Sequence, residues 1–395
     1  MQVLVLNSGS SSLKFQLFLM PQETILCSGL IDRIGFDDAK FKFKTAKDNI
    51  EVIEAIPNHK MALELLSKQL LNNKTGSIKS ADDIDIVGHR VVHGGKYFSD
   101  TTEITETVKE KIKTLSSLAP LHNPANLEGI DVAETIFPNA KQVAVFDTAF
   151  HQSIPEYAYK YAIPNEYSEK LNIRIYGFHG TSHKYVSEKT IEFLNKKHSK
   201  IITIHLGNGC SMTAIKDGKS IDHSLGFSPV NGLIMGTRSG DIDHSLIFYL
   251  AKKYDYSLDE INALLQKKSG MLGLTGFSDL REIEAAANMG NKTCQLALQM
   301  NTYRIKKYIG SYAAILNGLD AIVFTAGIGE NSVLMRQLIC ENLDFLGIEL
   351  DDKKNHIKPN KLRVINTETS KVKILVIPTN EELEIAKQSV KLFKN

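Results

Sequence analysis

The sequence predicts an α/β protein built from two related halves, and three observations carry that expectation. Short apolar runs of strand length stop abruptly at turns rich in Gly, Ser and Asn. At an offset of 200 residues, Leu6, Gly9 and Ser11 fall on Leu206, Gly209 and Ser211. Later in each half a further apolar run enters a short polar segment: 143–146 enters Asp147-Thr148-Ala149, and 322–324 enters Thr325-Ala326-Gly327.

Element by element, Val3-Leu4-Val5-Leu6 is a buried strand, Asn7-Ser8-Gly9-Ser10-Ser11-Ser12 a polar hairpin turn, and 13–20 the returning strand. Residues 61–71 have helical spacing. Residues 84–87 form a strand that runs into Gly88-His89-Arg90-Val91-Val92-His93-Gly94-Gly95, so Arg90 is placed just after it. The second half opens with strand 201–204 and the turn His205-Leu206-Gly207-Asn208-Gly209. Between Tyr303 and Leu316, apolar residues at Ile305, Tyr308, Ile309, Tyr312, Ala313 and Leu316 form the i, i+3, i+4, i+7 stripe of a core-facing helix. The repeat sets a domain boundary near residue 150.

Composition narrows the function classes. The chain has 395 residues, 43% hydrophobic and 23% charged, with 47 Lys+Arg against 45 Asp+Glu. A net charge of +2 leaves no electrostatic footprint for nucleic acid. Cys27, Cys210, Cys294 and Cys340 are too far apart for a Cys-x-x-Cys motif. The N-terminus lacks a basic region and a long apolar core, and no window reaches the ~18 to 20 apolar residues of a membrane span. A soluble cytoplasmic protein with no membrane or nucleic-acid partner is expected.

Three Gly-rich turns follow candidate strands, at 7–12, 205–209 and 327–331. Glycine admits a ligand close to the backbone, and successive N–H groups cradle anions, so these turns suit phosphate. A Walker A loop fails, because Gly218-Lys219-Ser220 is preceded by Thr213 where glycine is needed. No Gly-x-Gly-x-x-Gly follows the first strand, and the protein-kinase set is missing. Arg90, and Arg238 within Met235-Gly236-Thr237-Arg238-Ser239-Gly240-Asp241, are guanidinium forks at strand ends or among glycines, suited to carboxylate or phosphate oxygens. His89 with His93, and His179 with His183, have the four-residue spacing of zinc ligands, but the adjacent glycines argue against a helix through either pair. One catalytic imidazole is the sharper reading.

Taken in order, these segments resemble the acetate kinase family of short-chain carboxylate kinases over nearly the whole chain. The resemblance also rests on Leu121-His122-Asn123-Pro124, Phe146-Asp147-Thr148-Ala149-Phe150-His151, Tyr176-Gly177-Phe178-His179-Gly180-Thr181-Ser182-His183 and Asn380-Glu381-Glu382. It implies two duplicated ribonuclease-H-like, actin-like ATPase domains with a nucleotide cleft between them, the first at 1–150 plus a C-terminal helix over about 382–395 and the second at 151–381, and a homodimer. The implied reaction is reversible, direct in-line transfer of the ATP γ-phosphoryl group to acetate, giving acetyl phosphate and ADP. Mg²⁺, with Mn²⁺ able to substitute, would sit at Asn7 and Glu381. Lys14 with Ser10 and Ser12, His205, Leu206, Gly207, Asn208 and Gly209, Asp279, Leu280 and Arg281, and Gly327, Ile328, Gly329, Glu330 and Asn331 would hold ATP or ADP.

Arg90 would bind the acetate carboxylate, with Val92, Leu121, Phe178 and Pro229 around the methyl group. Arg238, His179 and, in support, His122 would donate to the moving phosphoryl group. Asp147 is a proton donor or acceptor by the family's pattern. A carboxylic acid with a pKa near 4 is already ionised at neutral pH, so the nucleophile has no proton to lose. The expected role of Asp147 is therefore electrostatic, orienting Arg238 or a magnesium-bound water. The alternatives are a propionate or butyrate kinase on the same fold, and a chaperone-like or actin-like ATPase that moves a partner. The chain's end soon after Glu381 leaves the latter no room for an added module.

Overall fold

The computed structural model describes residues 1–357 and 361–394, and the chain divides into two compact units. Unit 1 is Met1–Gln152 together with the segment from Asn380 on, and unit 2 is Ser153–Thr379. Asn395, the last residue of the expected C-terminal helix, lies outside the described residues.

Unit 1 is built on a mixed sheet of eight strands. They are β1 (Gln2–Ser8), β2 (Ser12–Leu19), β3 (Thr24–Asp32), β4 (Ala39–Thr45), β5 (Asn49–Glu54), β6 (Ile86–Val91), β7 (Thr102–Glu103) and β8 (Lys141–Phe146), in the order β5-β4-β3-β2-β1-β6-β8-β7. β1 is buried on both faces, with Val3, Leu4, Val5 and Leu6 at most 1% exposed. At about 1.5–3 kcal/mol for each large side chain, that run anchors the unit. In β4 the alternation is strict: Ala39, Phe41 and Phe43 point inward beside Phe15, while Lys40, Lys42 and Lys44 face water. The helices His59–Leu70 and Asn123–Ile136 cover the face that includes Leu4, Leu6 and Val87.

The C-terminal helix Glu381–Leu392 covers the other face, and here the sequence reading needs correction. β6 runs through Gly88 to Val91, so Arg90 lies on the strand and not beyond it. A Cβ at Gly88 would come 2.8 Å from Ser389 Oγ and 2.9 Å from Ile385 Cγ2. The glycine permits a close helix crossing; it does not mark a turn.

Unit 2 repeats the plan with six strands: β9 (Lys200–Leu206), β10 (Cys210–Lys216), β11 (Lys219–His223), β12 (Ala321–Thr325), β13 (Arg363–Val364) and β14 (Lys373–Val376), ordered β11-β10-β9-β12-β14-β13. The five-strand core is the same in both sheets. β3-β2-β1-β6-β8 and β11-β10-β9-β12-β14 each have two antiparallel neighbours followed by a parallel pairing across three strands. This is the duplicated actin-like architecture. Its details differ from the sequence match. The hairpins end their first strands at Ser8 and Leu206, which are 198 residues apart, so the coincidences at offset 200 are out of register. By position in the sheet, β12 corresponds to β6, and β8 to β14.

Two further expectations change. Residues 327–331 are not a turn: they lie in the helix Ala326–Asn331, which starts directly after β12. A helix also begins between His179 and His183, spanning Gly180–Leu194, with His179 as its N-cap at φ 55°. The left-handed cap residue lets the chain turn sharply into the helix despite the neighbouring glycines. The apolar stripe at 303–316 belongs to a longer helix, Lys292–Leu316.

Candidate active site

Parallel register builds the ionic part of unit 1. β1 pairs with β6 so that Leu6 lies beside His89, and β6 pairs with β8 so that Val91 lies beside Phe146. The next residues along the same strand ends are Asn7, Arg90 and Asp147. Arg90 Nη1 donates to Asn7 Oδ1 at 3.1 Å, and Nη2 pairs with the buried Asp147 carboxylate. Within its own unit Asp147 thus orients Arg90, a partner that the sequence reading did not name beside Arg238 or a magnesium-bound water. Burial works against the Arg90 cation, but the Asp147 and Glu381 carboxylates outweigh it and hold the group charged. Arg90 Nε is buried without a hydrogen-bond partner among the described residues.

The first turn of the C-terminal helix adds Glu381 and Glu382, near the helix's positive end. Lys14 Nζ sits 2.7 Å from Glu382. Burial, with Asp147 and Glu382 nearby, holds the Glu381 carboxyl well above its usual range, against the pull of Arg90 and Lys14. A carboxylate with two others nearby fits a hard dication such as Mg²⁺ that keeps several waters. Among the described residues no three His, Cys, Asp or Glu side chains form a full metal cage. That is compatible with an ion held mainly by phosphates and water.

The other predicted residues of unit 1 are spread along its loops. Ser10 is exposed in the turn between β1 and β2, and Ser12 begins β2. Val92 is 6% exposed and Leu121 62% exposed. His122 is the N-cap of the helix Asn123–Ile136.

That helix holds residues the sequence reading passed over. Asn126 takes the Val92 N–H (3.0 Å) and donates to Ser8 O (2.7 Å); Asn123 accepts from His93 N (3.1 Å) and donates to His93 O (3.0 Å). These buried amides tie the ends of β1 and β6 together. Their only sequence signal was Asn123 in the Leu121–Pro124 block.

In unit 2, His179 and Arg238 converge on Gly209. A Cβ there would lie 3.4 Å from His179 Cε1, 3.5 Å from Nε2 and 3.8 Å from Arg238 Nη1. Arg238 Nη1 donates to Pro229 O at 2.8 Å, and burial pulls the guanidinium below its ordinary pKa. A half-desolvated cation of this kind favours an anion beside it. The His179 ring stacks on His205 with centroids 4.4 Å apart. His205 Nδ1 is 2.9 Å from Ser182 Oγ, which is 2.9 Å from Thr379 Oγ1. Phe178 is buried, and its N–H donates to His223 Nε2.

Three predicted nucleotide segments, far apart in sequence, line one cavity of about 670 Å³ in unit 2: residues 206–208, 279–281, and Gly327, Ile328 and Asn331. Asp279 caps the helix Leu280–Asn288 and pairs with Arg281. Gly329 and Glu330 turn away: both carbonyls accept from the buried Arg336, and the Glu330 carboxylate accepts from Thr379 N at 3.2 Å. The cavity is otherwise mainly apolar, with Ile234, Met235, Met271 and Met335, and it includes Glu284, Asn301 and Ser332. These come from core-facing helices and loops with no local signature. The cavity is of ligand size, and its mix of apolar wall and few polar groups suits a base and ribose.

The acetokinase family model matches residues 2–387. An acetate kinase of Flavobacterium johnsoniae is 64% identical over the full length of both chains. The crystal structure of Porphyromonas gingivalis acetate kinase matches at a TM-score of 0.95, with 45% identity and full coverage of both chains. A propionate kinase structure from Francisella tularensis matches at 0.93, also with 45% identity, over 99% of each chain. On these grounds the chain belongs to the acetokinase family.

Proposed function

We propose that the protein is an acetate kinase, a phosphotransferase with a carboxylate acceptor that moves the γ-phosphoryl group of ATP to acetate, reversibly and in line. The supporting observation is Arg90: a charged guanidinium held by Asn7 and Asp147 that still carries a buried, unpartnered Nε–H. That open edge suits a small carboxylate. Arg90 orients the acetate and Asp147 holds Arg90. Arg238 and the His179 imidazole are assigned as donors to the equatorial oxygens of the phosphoryl group, which carries most of the developing charge. Residues 206–208, 279–281 and 327–331 hold the nucleotide, with Lys14 and the Ser10–Ser12 turn on phosphate oxygens. Asn7 and Glu381 would hold Mg²⁺, which when bound supplies charge neutralisation on the phosphates. An acetate oxygen forms the new P–O bond as the bond to the β-phosphate oxygen breaks and ADP leaves. No base is needed, because acetate is already ionised.

Val92, Leu121, Phe178 and Pro229 are assigned to the methyl group, with His122 in support. The similarity to a propionate kinase at 45% identity keeps a longer acid as the second reading. One methylene in an apolar pocket is worth only about 1–3 kcal/mol. Propionate should therefore be slower and not excluded. We propose a cytoplasmic homodimer, each chain with one domain in unit 1, close to the expected 1–150 plus the C-terminal helix, and one in unit 2, which ends at Thr379 and not at 381. No helix among the described residues is long and apolar enough to cross a membrane. The helix Ser245–Tyr254 has no buried residue and exposes Leu246, Phe248 and Tyr249, which supports a second copy there. The test is a hydroxylamine trap with Mg²⁺, ATP and acetate, propionate or butyrate. Hydroxamate formed fastest from acetate supports the reading; ATP turnover that ignores all three acids overturns it.

A further inference from the structure

We propose that Ser211 and His183 are positioning residues that fix the tautomer of His179, keeping its proton on Nε2. The kinetic consequence rests on His179 acting as the phosphoryl donor proposed above; the tautomer itself does not. Three side chains form a continuous line behind His179. Thr203 Oγ1 is 2.7 Å from His183 Nδ1, His183 Nε2 is 2.7 Å from Ser211 Oγ, and Ser211 Oγ is 2.9 Å from His179 Nδ1. Thr203, His183 and Ser211 are all 0% exposed.

The direction of the line follows from its far end. Among the described residues, the partner of the Thr203 hydroxyl is His183 Nδ1. A buried hydroxyl that only accepted there would strand its own proton, which is costly, so Thr203 donates. His183 Nδ1 is then an acceptor, and the neutral ring carries its proton on Nε2 and donates to Ser211. Ser211 in turn directs its hydroxyl proton to His179 Nδ1. The proton of neutral His179 is left on Nε2, the ring nitrogen that faces Gly209, 3.5 Å from where a Cβ there would lie.

The neighbouring His223 shows that this order is not a default of the fold. The Phe178 N–H donates to His223 Nε2 at 3.1 Å, so its proton lies on Nδ1 and goes to Thr213 Oγ1, 2.8 Å away. Each imidazole takes the tautomer that its outer partner dictates.

The test uses full-length protein labelled with ¹⁵N-histidine, with long-range ¹H–¹⁵N correlations reading each ring without substrate. Wild-type His179 should show the Nε2–H pattern. Ser211→Ala should give a mixture of tautomers and lower kcat on the order of 10²-fold, with KM for ATP and acetate within about twofold. Thr203→Val should move the His179 pattern in the same direction, and Thr203→Ser should restore it, which keeps the test open if Ser211→Ala does not fold. Nδ1–H on wild-type His179, or an unchanged His179 tautomer in both Ser211→Ala and Thr203→Val, overturns the proposal. A wild-type protein that gives no hydroxamate overturns the kinase reading, and the labelled spectra still decide this one.

Discussion

The two duplicated sheets share a five-strand core, yet their strand ends carry opposite chemistry. In unit 1 the ends of β1, β6 and β8 present Asn7, Arg90 and Asp147, joined by Glu381 and Glu382: an ionic row held by charge-assisted contacts. In unit 2, β9 presents Thr203 and His205, and the surrounding polar groups are imidazoles and hydroxyls in buried hydrogen bonds. Arg238 arrives there on a loop, not on a strand. Duplication preserved the backbone scaffold and left side chains free to diverge. One sheet carries an ionic row, and the other buried hydrogen bonds beside a mainly apolar cavity.

The largest test of that contrast is the pair of arginines. Arg90→Ala removes the cation beside buried Asp147 and should destabilise unit 1 by about 3–5 kcal/mol while raising the KM for acetate. Arg238→Ala should spare stability and lower kcat by about 10²- to 10³-fold, the loss typical of a removed transition-state donor. Thermal unfolding and steady-state kinetics of both variants check this. Equal destabilisation would break the comparison.

A second test titrates unit 1. His89 is buried, donates to Gln142 at 2.8 Å, and is pushed down from 6.5 to about 4 by burial. The native state therefore binds fewer protons than the unfolded chain between those values. The contribution is complete above pH 6.5 and is lost as pH falls toward 4, by about 3 kcal/mol. Urea unfolding at pH 7.5 and pH 4.5 should show a smaller acid loss in His89→Gln than in wild type.

The smallest expected effect sharpens the ionic row. Glu381→Gln should raise the half-saturating Mg²⁺ concentration roughly tenfold, or about 1.4 kcal/mol. Activity measured against Mg²⁺ at fixed ATP reads it.

Legibility in the sequence followed locality. The hairpin strands were readable because apolar runs and Gly-Ser-Asn turns are local signals, and the ordered segments carried the family resemblance. Gly88 misled because a glycine for helix approach and a glycine for a turn look alike in sequence; only Ser389, 301 residues away, distinguishes them. The helix Ala326–Asn331 was hidden by two glycines that intrinsic propensity disfavours, and its place after β12 overrode that preference. Ser211 was visible only as a repeat match and His183 only as half of a zinc spacing. Their shared hydrogen bond needs β10 and the helix Gly180–Leu194 to meet.

By itself the sequence determined the α/β class, from periodicity and glycine placement, and through its ordered motifs the resemblance to a family of carboxylate kinases. The expected duplication is real, but the register that relates the halves came only with the strand order. The tertiary structure decided which groups touch: that Asp147 holds Arg90, that three distant segments line one cavity, and that His179 has a hydroxyl–imidazole line behind it. Those contacts depend on strand register and helix crossing, which are set by packing between residues remote in sequence, and no local pattern encodes them.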